Sequence, residues 1–232
     1  MKGKKLFYRN AYLYLSLGFL VTLIGFFPTY FKKLSDTDAL HHFHGITGSL
    51  WMIILIVQPL IYRFGNMKFH RIIGWISVGF SPIVFYGAIL VIQYMMQTRE
   101  PSALLYQFAF LDVFTILPFA LFIILGVINR KNIYLHARYM VCTIFGPLSA
   151  GVVRIFHLYI TPDSWNLAFT GTYVLFELVI VLLILDDYRS GKIRVPYVLC
   201  FVIFLVQHIA IYFAGEWEWW RELTSRLMEL PL

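Results

Sequence analysis

Residues 104–128 read LLYQFAFLDVFTILPFALFIILGVI, an apolar run with one charge, Asp112. A helix rises 1.5 Å per residue, so ~20 such residues cross the ~30 Å hydrocarbon core of a bilayer. A barrel strand would alternate apolar and polar residues over about ten positions. No such alternation is present. Backbone groups in lipid must be satisfied inside their own segment, so the run predicts a membrane-spanning helix.

Comparable runs flank it at residues 11–31, 44–62, 72–96, 139–160, 168–186 and 196–214. Together they predict an all-α fold, a seven-transmembrane-helix bundle over residues 1–215. Composition agrees. Of the 232 residues, 60% are apolar and 13% charged, and the mean hydropathy is +0.74. Soluble domains run about 45–50% apolar and about 25% charged. A water-soluble globule and a disordered chain are therefore excluded, and the spans leave no length for a separate soluble domain.

The net charge of +7 would fit nucleic acid in a soluble protein. Here the Lys and Arg fall in short connections, where they set topology instead. Lys2, Lys4, Lys5, Arg9, Arg63, Lys68, Arg71, Arg130, Lys131, Arg138, Arg189, Lys192 and Arg194 lie on one side. Lys32, Lys33, Arg99, Arg221 and Arg226 lie on the other. The bias places the N-terminus in the cytoplasm and the C-terminus outside. The first run is too long for a signal-peptide core, so an uncleaved first span is expected. Cys142 and Cys200 sit inside apolar runs and form no disulfide framework.

Past Gly215, Trp217, Trp220, Leu223, Leu227 and Leu230 recur at helical spacing, with Glu216, Arg221, Glu222, Arg226 and Glu229 between them. This tail, residues 216–232, predicts an amphipathic helix lying in the outer interface. Residues 44–96 and 104–160 look like two copies of one unit. One leads from His44 to Arg63 and His70-Arg71, the other from Asp112 to Arg130 and His136-Ala137-Arg138.

An ionisable group in hydrocarbon costs at least ~2.5–3.5 kcal/mol, so each one needs a reason. Asp112, Arg154, His157, Glu177 and His208 fall within spans, and His44 opens one. Helical spacing joins several to small or polar neighbours: Thr143, Pro147, Ala150, Arg154 and His157 on one span, His44, Thr47, Trp51 and Gln58 on another. Thr170, Tyr173 and Glu177, and Gly74, Ser77, Ser81 and Ala88, form similar stripes. Such stripes pack helices together, and they can also line a shared pocket.

Three chemistries suit these groups. In the first, His44, His157 and His208 hold haem b or a transition metal (Zn, Cu or Fe), with Asp112 or Glu177 as a carboxylate and Arg154 balancing charge. His44 is followed fourteen residues later by Gln58, not by a second His, so haem ligands would come from separate helices. In the second, a small-molecule or ion transporter or receptor uses the same cavity, with Arg154 meeting an anionic substrate. In the third, a zinc-dependent membrane hydrolase uses the imidazoles, although His208 stands alone on its span. A retinal receptor is disfavoured, because VPYVLCFVIFLVQHIAIYFAG has no Lys for a Schiff base. The segment from Ser35 to His44, with Asp36, Asp38, His41 and His42, reads as a capped, solvated connection or a surface divalent-metal site. At the cytoplasmic ends, His70, Arg71, His136 and Arg138 open two helices and suit a phosphate or propionate.

The order His44-x6-Trp51, Gln58, His70-Arg71-x2-Gly74, His136-x-Arg138-x-Met140 and Arg154 resembles uncharacterised bacterial multi-pass membrane families carrying HRxxG and HxRxM at two helix ends. The likeness covers about residues 40–160. Those families are likened to haem-binding membrane cytochromes. The resemblance therefore implies a bacterial inner membrane and a role for His70 and His136.

Overall fold

The computed structural model describes residues 10–229, which are all-helical apart from turns. Lys2, Lys4, Lys5, Arg9 and Leu230 lie outside the described residues, as does the side chain of Leu227. The helices are α1 (Ala11–Phe26), α2 (Ala39–Arg63), α3 (Met67–Thr98), α4 (Ala103–Ile128), α5 (Ile133–Cys142), α6 (Phe145–Ile155), α7 (Trp165–Arg189), α8 (Val195–Ala214) and α9 (Glu218–Met228). Taking α5, α6 and the π turn Phe156–Ile160 as one span, six spans are long and apolar enough to cross a membrane, and α1 is a shorter seventh. These helices fit a multi-pass integral membrane protein.

Most spans start at a side-chain cap. Asp38, Asn66, Ser102, Asn132 and Ser164 accept from the backbone N–H of His41, Phe69, Leu105, Tyr134 and Leu167. Each satisfies a donor that the helix itself cannot. Consecutive helices alternate in direction. One end of the bundle, the His70 end, therefore carries His70, His136 and Asp187. The His44 end carries Asp38, His44, Arg154 and α9.

Prolines inside helices free carbonyls that lipid cannot satisfy. Pro82 frees the carbonyl of Val78, and the Ser81 hydroxyl donates to it at 2.9 Å. Pro118 frees the carbonyl of Phe114, and the Gln207 amide of α8 donates to it. Pro147 can give no N–H to Thr143, and α5 breaks from α6 there. Trp51 Nε1 crosses from α2 to donate to Thr143 Oγ1 at 3.2 Å.

The core is aromatic: Trp51 packs edge-on against Phe119, and Phe145, Phe176 and Phe204 pack together. α1 lies so close on α6 that a Cβ at Gly25 would sit 2.2 Å from the Gly151 carbonyl oxygen. Exposed Leu17, Leu20, Ile76, Ile124, Leu178 and Leu182 face outward, where lipid contact suits them.

The tail is amphipathic as expected, yet it does more than lie in an interface. Trp220 is buried against Phe110 and donates to the Tyr106 carbonyl at 2.9 Å, and Thr224 is buried with it. This fixes α9 on the ends of α3 and α4. Trp219 and Leu223 stay exposed.

Candidate functional site

At the His70 end, the starts of α3 and α5 meet. Asn66 and Asn132 cap α3 and α5, and each is followed four residues later by a histidine. Those histidines face one another, with ring centres 6.3 Å apart and planes at 83°. His136 Nδ1 lies 2.8 Å from the Gly126 carbonyl. A carbonyl only accepts, so Nδ1 carries a proton and donates it. His70 Nδ1 is buried and has no hydrogen-bond partner among the described residues. The His70 carbonyl accepts from Gln58 Nε2 at 3.3 Å, which ties α2 to the start of α3. Gly74, one turn along from His70, leaves its helix wall bare, and a Cβ there would meet first Gln58 Nε2 at 3.6 Å.

The two arginines expected beside these histidines diverge. Arg71 is exposed. Arg138 is buried and holds Asp187 through Nε at 2.9 and 3.1 Å and through a second nitrogen. Arg194 adds a 3.3 Å contact to the same carboxylate. The expected anion clamp at Arg138 is thus already occupied by a carboxylate of the chain itself. Arg138 and Arg194 also wall one end of a mostly apolar groove of about 270 Å3, bounded further along by Leu148 and Val179.

At the His44 end, the expected polar residues divide into two groups. The first is closed. His208 Nδ1 lies 2.8 Å from Glu177 Oε1, and its Nε2 lies 3.3 Å from the Tyr212 hydroxyl. Tyr212 continues to Thr170 Oγ1 at 2.6 Å. The chain Glu177–His208–Tyr212–Thr170 bridges α7 and α8 and takes up both ring nitrogens of His208.

The second group is open. Among the described residues no ion pair reaches Asp112 or Arg154. Arg154 donates one bond, to the Ala150 carbonyl at 2.7 Å, and lays its guanidinium 4.2 Å over the Phe26 ring. His44 Nδ1 and Tyr173 Oη are buried without partners among the described residues. His157 stands apart. The π turn carries it onto Trp165, with ring centres 3.5 Å apart and planes at 16°.

The three imidazoles expected to share one metal therefore occupy three settings. Among the described residues, no three His, Cys, Asp or Glu side chains gather as a metal group. At the surface, His41 Nδ1 meets the Asp38 cap at 2.7 Å and His42 Nδ1 meets the Tyr30 hydroxyl at 2.7 Å, which is the capped-connection reading of that segment.

Gln207 and Asp187 are functional positions that the sequence reading missed. Asp187 sits in the last turn of α7, where a carboxylate opposes the helix dipole, and that placement was its one sequence signal. The repeated Asn-x3-His was the signal for the histidine pair. No known protein family, curated protein or solved structure matches the chain.

Proposed function

We propose that the chain is a membrane electron-transfer protein that holds a haem between His70 and His136. The observation that supports this is the pair of imidazoles facing one another from matching positions of the two sequence units, 6.3 Å between ring centres. A metal–nitrogen bond is ~2.0–2.1 Å, so His70 and His136 at this separation would both be able to hold one metal. Zinc would want four protein-side ligands or three and a water. No third His, Cys, Asp or Glu joins the pair among the described residues. A macrocycle that brings four nitrogens of its own fits two protein ligands.

The residues present suit that group. The Gly126 carbonyl accepts the His136 Nδ1–H and orients the ring. Gln58 anchors the backbone at His70. Exposed Arg71, and Arg130, whose guanidinium lies 5.9 Å over the Trp75 ring, stand at this end to meet carboxylate groups of the ligand. A bis-histidine haem iron supplies one-electron transfer when bound. In this reading the ligands shift from His44, His157 and His208 to the opposite end of the bundle. The Lys and Arg bias sets that end in the cytoplasm, with seven spans in a bacterial inner membrane.

The test is the absorption spectrum of protein purified from haem-replete cells or reconstituted with haemin. A Soret band is expected, lost in both His70→Ala and His136→Ala and retained in His208→Ala. A protein that takes up no haemin, or one whose Soret band survives both substitutions, would refute the assignment.

A further inference from the structure

The two histidines of the facing pair are held differently. His136 gives its Nδ1–H to the Gly126 carbonyl at 2.8 Å, which sets the ring about its own axis. His70 has no such bond. Its Nδ1 is buried and unpaired among the described residues, and it is the only atom of that ring in this condition. A buried polar atom left unpaired costs ~1–3 kcal/mol, so the atom needs a partner. Tyr62 stands edge-on to the His70 ring, with centres 6.2 Å apart, and makes no hydrogen bond to it among the described residues.

Gln58 has the same need from the other side. Its Oε1 is buried without a partner among the described residues. The other half of that amide, Nε2, donates to the His70 backbone carbonyl at 3.3 Å. This bond settles which way the amide points, because a carbonyl accepts only from the nitrogen. It also joins the two residues that carry the orphaned atoms, one an acceptor and the other able to donate. Oε1 makes no direct bond to Nδ1, and swinging it there would give up the Nε2 bond. A water both donates and accepts, and it bridges groups placed in this way. Gly74 leaves room beside them. A Cβ there would meet only Gln58 Nε2 within contact distance, at 3.6 Å.

We infer that Gln58 is the positioning residue of His70, accepting its Nδ1–H through one buried water and leaving Nε2 for the ligand. Gln58 thereby does for His70 what the Gly126 carbonyl does for His136. The hydrogen bond stands without haem, and its effect on a haem iron rests on the reading above. In that reading, an acceptor behind Nδ1 makes the imidazole a stronger electron donor. This favours the ferric state and lowers the reduction potential.

The experiment uses full-length protein in lipid nanodiscs at about pH 8, where imidazole is ordinarily neutral. The first arm needs no haem. Nitrogen-15 NMR of histidine-labelled protein reports which ring nitrogen carries the proton, and the His70 signals are those lost in His70→Ala. In the parent the His70 proton should sit on Nδ1. In Gln58→Leu it should move to Nε2 or divide between the two. The second arm uses haemin-loaded protein. Gln58→Leu should raise the midpoint potential and weaken haemin binding about tenfold. Gln58→Glu keeps an acceptor and adds negative charge, so it should lower the potential. Both variants lose the Nε2 bond to the His70 carbonyl, so a purely structural role would move both potentials the same way. A His70 proton on Nε2 in the parent, a tautomer unchanged in Gln58→Leu, or two potentials shifted in one direction would each overturn the inference. A protein without a Soret band refutes the haem reading alone, and the NMR arm then decides the role of Gln58.

Discussion

Asp187→Ala offers a direct measure of what the buried charges contribute. Asp187 is 1% exposed and Arg138 8%. The substitution strips Arg138 of its Nε contacts at 2.9 and 3.1 Å and Arg194 of its 3.3 Å contact. Two guanidinium groups then lose the carboxylate they share, with Asp186 left lining the same groove. Arg138 keeps its bond to the Tyr134 carbonyl at 2.8 Å, and Arg194 keeps the Lys192 carbonyl at 3.1 Å. Breaking one side of a buried ion pair costs ~3–5 kcal/mol. Arg194 can turn toward water, which sets the expectation at the lower end, about 3 kcal/mol. Asp187→Asn keeps an acceptor and loses the charge, so about half that loss is expected. The double variant Arg138→Met, Asp187→Leu removes charge and counter-charge together and should fall within ~1 kcal/mol of the parent. Reversible unfolding in mixed micelles reads all three. Added phosphate should restore part of the loss in Asp187→Ala by replacing the carboxylate, and should leave the parent unmoved. A loss below ~1 kcal/mol for Asp187→Ala, or a double variant as damaged as the single one, would show that the pair is not coupled as described.

Three further expectations follow from local contacts. Gln207→Leu orphans the Phe114 carbonyl inside the bundle and should cost ~1–3 kcal/mol in the same unfolding assay, and Gln207→Glu, which sets an acceptor against that carbonyl, should cost more. Gly25→Ala drives a Cβ to 2.2 Å from the Gly151 oxygen, so α1 must back away from α6. A loss of ~1–3 kcal/mol is expected, with faster proteolysis of α1. Asp38→Ala removes the α2 cap and should cost ~1 kcal/mol at neutral pH. The His41 backbone N–H is the first cause holding the Asp38 carboxyl below its usual 3.8. A carboxyl lowered in this way stabilises the fold above that value, and the contribution is lost as pH falls through the folded value. The gap between parent and Asp38→Ala should therefore close in melting curves taken below about pH 4.

Hydropathy carried the spans, because a run such as 104–128 has one workable structure in lipid. It placed the starts late. α2 begins at Ala39 rather than 44, and α3 at Met67 rather than 72. Caps at Asp38 and Asn66 extend the helices through polar turns that hydropathy does not count. Arg154, His44 and Asp112 were legible as polar groups of separate helices at one depth. The settings of His208 and His157 were not. One depends on Glu177 and Tyr212 reaching both nitrogens, the other on a π turn that rotates the ring onto Trp165. Asp187 beside Asp186 reads as a solvated pair until Arg138 and Arg194 arrive from other helices.

The bond from Gln207 to the carbonyl below Pro118 also bears on biogenesis. When α4 leaves the translocon, its Phe114 carbonyl has no protein donor, and the amide that serves it is roughly 90 residues behind, several seconds of synthesis at ~5–20 residues per second. During that interval water or an insertase must shield the defect, so ribosome stalling or truncation before residue 207 would leave a nascent chain marked for quality control at one identifiable carbonyl.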